Sequence, residues 1–192
     1  MQVNAFRERR ALALTLNDTK TAVNTIFPSQ ESLVTNLVLR RDQLEAFEIA
    51  KRSNTIAITD TGSGKTLIAI MLIKEIGQAV RSSGVKKIIV FLAPTVVLVN
   101  QQYKNIKHNT NIQVEEYHGA KGVDTWKFES WQKEVRDNGA MVMTPQTLLD
   151  ALRKAFPSIE MICLMVLDIG NCHHQISSFC ELATCLGCIY IR

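Results

Sequence analysis

No uninterrupted apolar run in this chain approaches 18 residues, so no membrane-spanning helix is expected. The start has no apolar stretch either. Arg7, Glu8, Arg9 and Arg10 lead into Thr, Asn and Asp residues, and no secretory leader is expected. Cysteine is scarce until late: four of the five follow residue 171. That distribution makes no disulfide framework and points to a reducing compartment. Neither sign of charge dominates. A net charge of +4 and a pI near 8.8 permit contact with a polyanion without demanding it. Charge is sparse over residues 176–192, ISSFCELATCLGCIYIR, where only Glu181 and Arg192 carry it. What is present is ordinary for a globular protein, with 46% hydrophobic and 21% charged residues. A length of 192 residues holds one full domain and hardly two.

The most informative stretch is 55–73, TIAITDTGSGKTLIAIMLI. It reads as a buried strand, a glycine-rich turn and a helix that begins inside the turn. Thr61, Gly62, Ser63, Gly64, Lys65 and Thr66 form the centre of a phosphate-binding loop. Gly62 and Gly64 remove side chains, so successive backbone N–H groups can close round phosphate oxygens. Lys65 is a point charge for the β and γ phosphates of ATP, and the Thr66 hydroxyl suits a Mg²⁺ ligand. The helix that follows turns its positive dipole end toward the nucleotide. A glycine-serine linker before an ordinary helix is the competing reading, and the strand–loop–helix context argues against it. The general pattern has glycine at the position of Thr59. Its absence favours helicase-type loops.

Around this loop, apolar spacing predicts alternating helices and strands. Residues 1–35 read as a poorly ordered extension. Helical spacing over 39–50 puts Leu44, Phe47 and Ile49 or Ala50 on a buried face. Gln43, about twenty residues ahead of Lys65, carries an amide that donates and accepts, the pairing an adenine edge demands. A solvated helix residue is the equal alternative there. A helix is expected over 65–80, then a fully buried parallel strand over 86–93 ended by Pro94 and Thr95. Helices over 96–108 and 126–136, a strand over 111–117 and a turn over 118–122 follow. Trp126 and Trp131 are read as packing residues. A short strand at 140–143 leads to Thr144 as N-cap and Pro145 at the first helical position. The helix after it runs to about 156, and a last strand, 161–168, ends in Asp168. This alternation predicts an α/β fold with a parallel sheet covered on both faces. Lys65 and Asp168 then lie at carboxyl ends of strands, where such sheets bind ligands, and Asp168 would hold Mg²⁺ through water opposite Thr66. A turn or N-cap role is the alternative for Asp168.

Taken together, Gln43, TDTGSGKT (59–66), FLAPTVVLVNQQY (91–103), EEYHGAKGVDTW (115–126) and VMTPQTLLDALRKAF (142–156) resemble the first helicase lobe of plant Dicer-like ribonucleases. The resemblance covers roughly 38–168. It leans to the branch that makes small RNAs for heterochromatin silencing. It implies a P-loop RecA-like helicase lobe over 36–168, in a three-layer fold that is incomplete. Gln43 takes the adenine-reading position, although Asp42 stands before it where the family usually has an aromatic residue. Gly62, Gly64, Lys65 and Thr66 take the triphosphate and Mg²⁺ positions. Pro94, Thr95 and Thr144 with Pro145 match motifs that touch the RNA phosphate backbone, which suits double-stranded RNA read by shape. Lys104, Lys107 and Lys121 are candidates for added attraction, with solvated surface the better reading for each. The resemblance also implies a double-stranded-RNA-binding protein as partner, no membrane, and nuclear localisation, with the cytoplasm as alternative.

The resemblance breaks at the acidic motif. The family has Asp-Glu-Cys-His, and this chain reads Asp168-Ile169-Gly170-Asn171-Cys172-His173-His174. Isoleucine cannot orient or deprotonate water, a loss that commonly costs on the order of 10²–10⁴ in rate. Residues 169–192 show no further resemblance and read as a divergent tail. A coding frame that ran past an exon end explains such a tail. A zinc site from Cys172, His173, His174, Cys180, Cys185 and Cys188 is the competing reading, and its spacing is cramped. The family activity is that of an ATP-dependent RNA helicase and endoribonuclease. For this chain the expectation is truncation before the second lobe and the nuclease domains, with weak ATP binding, negligible hydrolysis and no RNA cleavage. A non-enzymatic regulator of the full-length enzyme and a non-functional gene-model product are the alternatives.

Overall fold

The computed structural model describes residues 40–57, 62–154, 156, 158–168 and 188–191. The expectations for 1–35, for Thr59 and Thr61, for Ile169 and for most of the tail lie outside them. Five helices and six strands follow one another as α1 (Arg41–Arg52), β1 (Ile56–Ala57), α2 (Lys65–Ser83), β2 (Ile88–Leu92), α3 (Val96–Asn109), β3 (Val114–Tyr117), α4 (Phe128–Asp137), β4 (Ala140–Met143), α5 (Pro145–Lys154), β5 (Ile162–Asp168) and β6 (Cys188–Ile191) among the described residues. The sheet order is β1-β6-β5-β2-β4-β3, and every described pairing is parallel.

Strand β2 shows why the sheet is buried on both faces. Its five residues are all buried, and alternate ones enter opposite layers. Ile89 and Phe91 join Phe47 of α1, Leu72 and Ile73 of α2 and Val99 and Ile106 of α3. Ile88, Val90 and Leu92 join Trp131 and Val135 of α4 and Leu148 and Ala151 of α5. A continuous apolar run is what two covered faces require, and the result is three layers. Trp126 and Trp131 pack as expected, in an aromatic cluster with Tyr117 whose ring centroids lie 5.0–5.7 Å apart. The Tyr117 hydroxyl donates to Glu134 Oε2 at 2.7 Å, and Asn138 Nδ2 donates to the same oxygen at 2.9 Å. Burial, with the neighbouring Glu134 carboxylate, pushes the Tyr117 hydroxyl far above its ordinary pKa.

Two features depart from the sequence reading. The buried face of α1 is Gln43, Ala46, Phe47 and Ala50, while Leu44 is 49% exposed. The stripe is rotated because the Gln43 amide, not Leu44, is drawn inward. The sheet also does not end at Asp168. Strand β6 pairs with β5 through Met165 to Asp168 and with β1 through Ile56 and Ala57. The short run Cys188-Ile189-Tyr190-Ile191 thus lies inside the sheet, in a segment read as tail.

Candidate nucleotide and RNA site

The carboxyl ends of four strands meet the predicted site residues along one edge. β1 leads toward the glycine loop, β2 ends before Pro94 and Thr95, β4 ends just before Thr144, and β5 ends in Asp168. Gly62 and Gly64 have φ of +84° and +86°, the left-handed region that side chains disfavour. A Cβ on Gly62 would meet no heavy atom within 4 Å, so the space on that side of the residue is open. Gly64 is the N-cap of α2, and Lys65 and Thr66 are the first two helical residues. They stand in the first turn of α2, at the positive end of its dipole, where negative charge is favoured.

A second element holds this loop. Gln43 is 6% exposed, and its Nε2 donates to the Ser63 carbonyl at 2.7 Å. Its Oε1 accepts from the Arg40 N–H at 2.9 Å, which ties the side chain back to the amino end of α1. The Arg40 guanidinium also donates to the Ser63 carbonyl. Gln43 therefore braces the phosphate loop. A glutamine amide has two N–H groups and two acceptor lone pairs, so one of each remains for an adenine edge. Gly64 is confined on this side: a Cβ there would lie 2.2 Å from Gln43 Nε2.

The RNA-motif threonines act first as caps. Thr95 Oγ1 accepts from the Leu98 N–H at 3.3 Å and starts α3. Thr144 Oγ1 accepts from the Thr147 N–H at 3.2 Å and starts α5. Thr95 is exposed and Pro94 half-buried. Val96 and Val97 beside them are exposed, Val97 by 75%. Lys104 is exposed, Lys107 is engaged with the Tyr103 hydroxyl and ring, and Lys121 is paired with Glu115.

At the end of β5, Asp168 Oδ2 accepts from Gln102 Nε2 at 3.2 Å. Sequence reasoning passed over both Arg40 and Gln102. Gln102 had a legible signal, because it interrupts the buried stripe Val99, Gln102, Ile106 with a polar residue. The site fits a nucleotide held with Mg²⁺. An open glycine cradle, a lysine and threonine at the helix start, and one carboxylate at a strand end are the donors such a group needs. Magnesium takes most of its ligands from phosphate and water, so one or two protein oxygens suffice. Among the described residues no group of three His, Cys, Asp or Glu side chains forms a separate metal site. All the proposed zinc ligands except Cys188 lie outside those residues.

An all-parallel sheet with a glycine cradle before one helix and an acid at a neighbouring strand end defines a P-loop nucleotide-binding lobe. The DEAD/DEAH box helicase profile matches residues 40–187, well into the segment that showed no resemblance on reading. The chain belongs to that family. Its helicase region is similar to Endoribonuclease Dicer homolog 3 of Arabidopsis thaliana, 48% identical over 132 residues, which is 69% of this chain and 8% of that protein. Endoribonuclease Dicer homolog 2b of Oryza sativa subsp. japonica is 46% identical over 132 residues, 69% of this chain and 9% of the relative. The chain thus spans less than a tenth of the length of these relatives. The crystal structure of the Pyrococcus furiosus Hef helicase domain superposes with a TM-score of 0.59 at 23% identity, over 80% of this chain and 33% of that one. That likeness shows the RecA-like lobe fold. The family implies nucleotide use. No helix among the described residues is long and apolar enough to cross a membrane.

Proposed function

We propose that this chain is the nucleotide-binding lobe of a Dicer-like double-stranded-RNA helicase, holding ATP with Mg²⁺ at one sheet edge and RNA backbone beside it. The observation that carries the reading is the cradle: Gly62 and Gly64 in left-handed conformations, with Lys65 and Thr66 opening α2. Backbone N–H groups of the loop and the Lys65 ammonium would hold the β and γ phosphates, and Thr66 and Asp168 would hold the Mg²⁺ hydration shell. Gln43 would give its remaining donor and acceptor to adenine. Bound ATP supplies the phosphoanhydride whose cleavage drives helicase movement.

Pro94, Thr95 and Thr144 would present hydroxyls and amides to RNA phosphates, contacts that position a duplex without reading its sequence. The RNA-silencing role, a double-stranded-RNA-binding protein as partner and a nuclear location belong to the same reading. Ile169 in place of the water-orienting glutamate favours a lobe that binds ATP and turns it over negligibly. It also supports a second reading, a regulator that binds RNA or a partner without enzymatic activity.

Titration with a fluorescent ATP analogue, beside a turnover assay with double-stranded RNA, tests both. Saturable binding lost in Lys65→Ala, without turnover, is expected. Brisk RNA-stimulated hydrolysis that Lys65→Ala abolishes would overturn the inactive reading. Salt-dependent RNA binding with no nucleotide binding would favour the regulator.

A further inference from the structure

We propose that Gln102 is a positioning residue that fixes Asp168 for the nucleotide-bound Mg²⁺ and ties it to the RNA-contacting end of α3. The inference rests on the nucleotide reading above and deepens it. Gln102 is 4% exposed, yet it lies on the stripe of α3 that faces the core. A buried amide costs stability unless it is used. Its Nε2 is used on Asp168 Oδ2 at 3.2 Å. A carboxylate only accepts, so this contact also fixes which way the amide is turned. Its Oε1 is buried with no donor among the described residues. Packing alone would be served better by leucine or methionine at that position, since neither leaves an orphaned oxygen.

Helix α3 makes the contact more than local. Thr95 caps its amino end, and Gln102 follows seven residues later, about 10 Å along the axis of a continuous helix. A shift of α3 when Thr95 engages a phosphate is therefore delivered to the Asp168 carboxylate through one hydrogen bond. Affinity for Mg²⁺ and for RNA are then linked, and linkage is reciprocal.

The test uses the full chain and two measurements. The first is affinity for a fluorescent ATP analogue in EDTA and across a Mg²⁺ titration. The second is the same titration with a blunt RNA duplex present. Gln102→Met keeps the side-chain volume and removes the donor. We expect the EDTA affinity to stay at the wild-type value and the Mg²⁺ midpoint to rise about tenfold, a change typical of one charge-assisted hydrogen bond. We also expect the duplex to move the wild-type midpoint and to leave that of Gln102→Met unmoved. A wild-type midpoint in Gln102→Met, or an equal loss in EDTA and in Mg²⁺, overturns the positioning role. A duplex effect that survives in Gln102→Met overturns the link to α3. If Gln102→Met fails to unfold cooperatively, Gln102→Leu is judged by the same criteria. Failure of the nucleotide reading itself shows differently, as wild-type binding that is absent or insensitive to Lys65→Ala.

Discussion

The contact between Gln43 and Gly64 allows a quantitative test of how the phosphate loop is held. Gly64→Ala adds a Cβ at φ +86°, which costs about 1–2 kcal/mol in the left-handed region. The same Cβ would lie 2.2 Å from Gln43 Nε2 and 3.3 Å from its Cδ, so the amide must move. Nε2 is the far end of a flexible side chain, but this one is buried and bonded at both ends. Displacing it sacrifices two hydrogen bonds, each worth about 0.5–1.5 kcal/mol. The total is about 2–5 kcal/mol. In urea, at a slope near 2 kcal/mol/M, that is a midpoint shift of roughly 1–2.5 M. Fluorescence of the buried Trp131 reports the transition.

In a Gln43→Ala background those bonds are already gone, and Gly64→Ala should cost only the backbone term, about 1–2 kcal/mol. Gly62→Ala supplies the control. It has the same sign of φ and open space around its Cβ, so its cost should be the same with or without Gln43. Equal costs of Gly64→Ala in both backgrounds would refute the brace.

Other outcomes follow from single contacts. Thr144→Ala removes the cap of α5 and should cost about 0.5–2 kcal/mol in urea unfolding, so RNA affinities of that variant need a folded-state check. Trp131→Ala empties the centre of the aromatic cluster and should cost about 3–5 kcal/mol by the same measurement. Tyr117 is neutral in the fold, with its folded pKa raised above the unfolded value near 10. Above about pH 10 the unfolded chain releases that proton first, so stability is full below this pH and falls as pH rises. Unfolding midpoints between pH 9 and 11 should fall less steeply in Tyr117→Phe than in the wild type. An identical slope would show that Tyr117 ionises equally in both states.

The parts legible in the sequence were those where one physical demand set the residue type. The run in β2 demands a strand covered on both faces, and the glycines at 62 and 64 supply the left-handed backbone that a phosphate turn needs. The Thr144-Pro145 start of α5 was legible for the same reason, because a cap and a missing N–H both belong at a helix amino end.

The illegible parts depended on contacts made across the chain. Gln43 is inward because the Ser63 carbonyl stands twenty-three residues from Arg40 and twenty from Gln43, and periodicity carries no trace of that partner. Helical spacing alone turns Leu44 inward in its place, whereas that side chain is exposed. Gln102 looked like one of two adjacent glutamines until β5 brought Asp168 beside it. Strand β6 is four residues long, and it enters the sheet between the strand just before it, β5, and the distant β1. A short apolar run gives no sign of the edge it will join.

The central claim is that the loop at Gly62–Thr66 is a nucleotide cradle. Its most direct measurement is equilibrium titration of the full chain with a fluorescent ATP analogue, with and without Mg²⁺, for the wild type and Lys65→Ala. The cradle predicts saturable binding that Mg²⁺ strengthens and that Lys65→Ala abolishes. Absence of saturable binding by the folded wild type, or equal binding by both proteins, would contradict it.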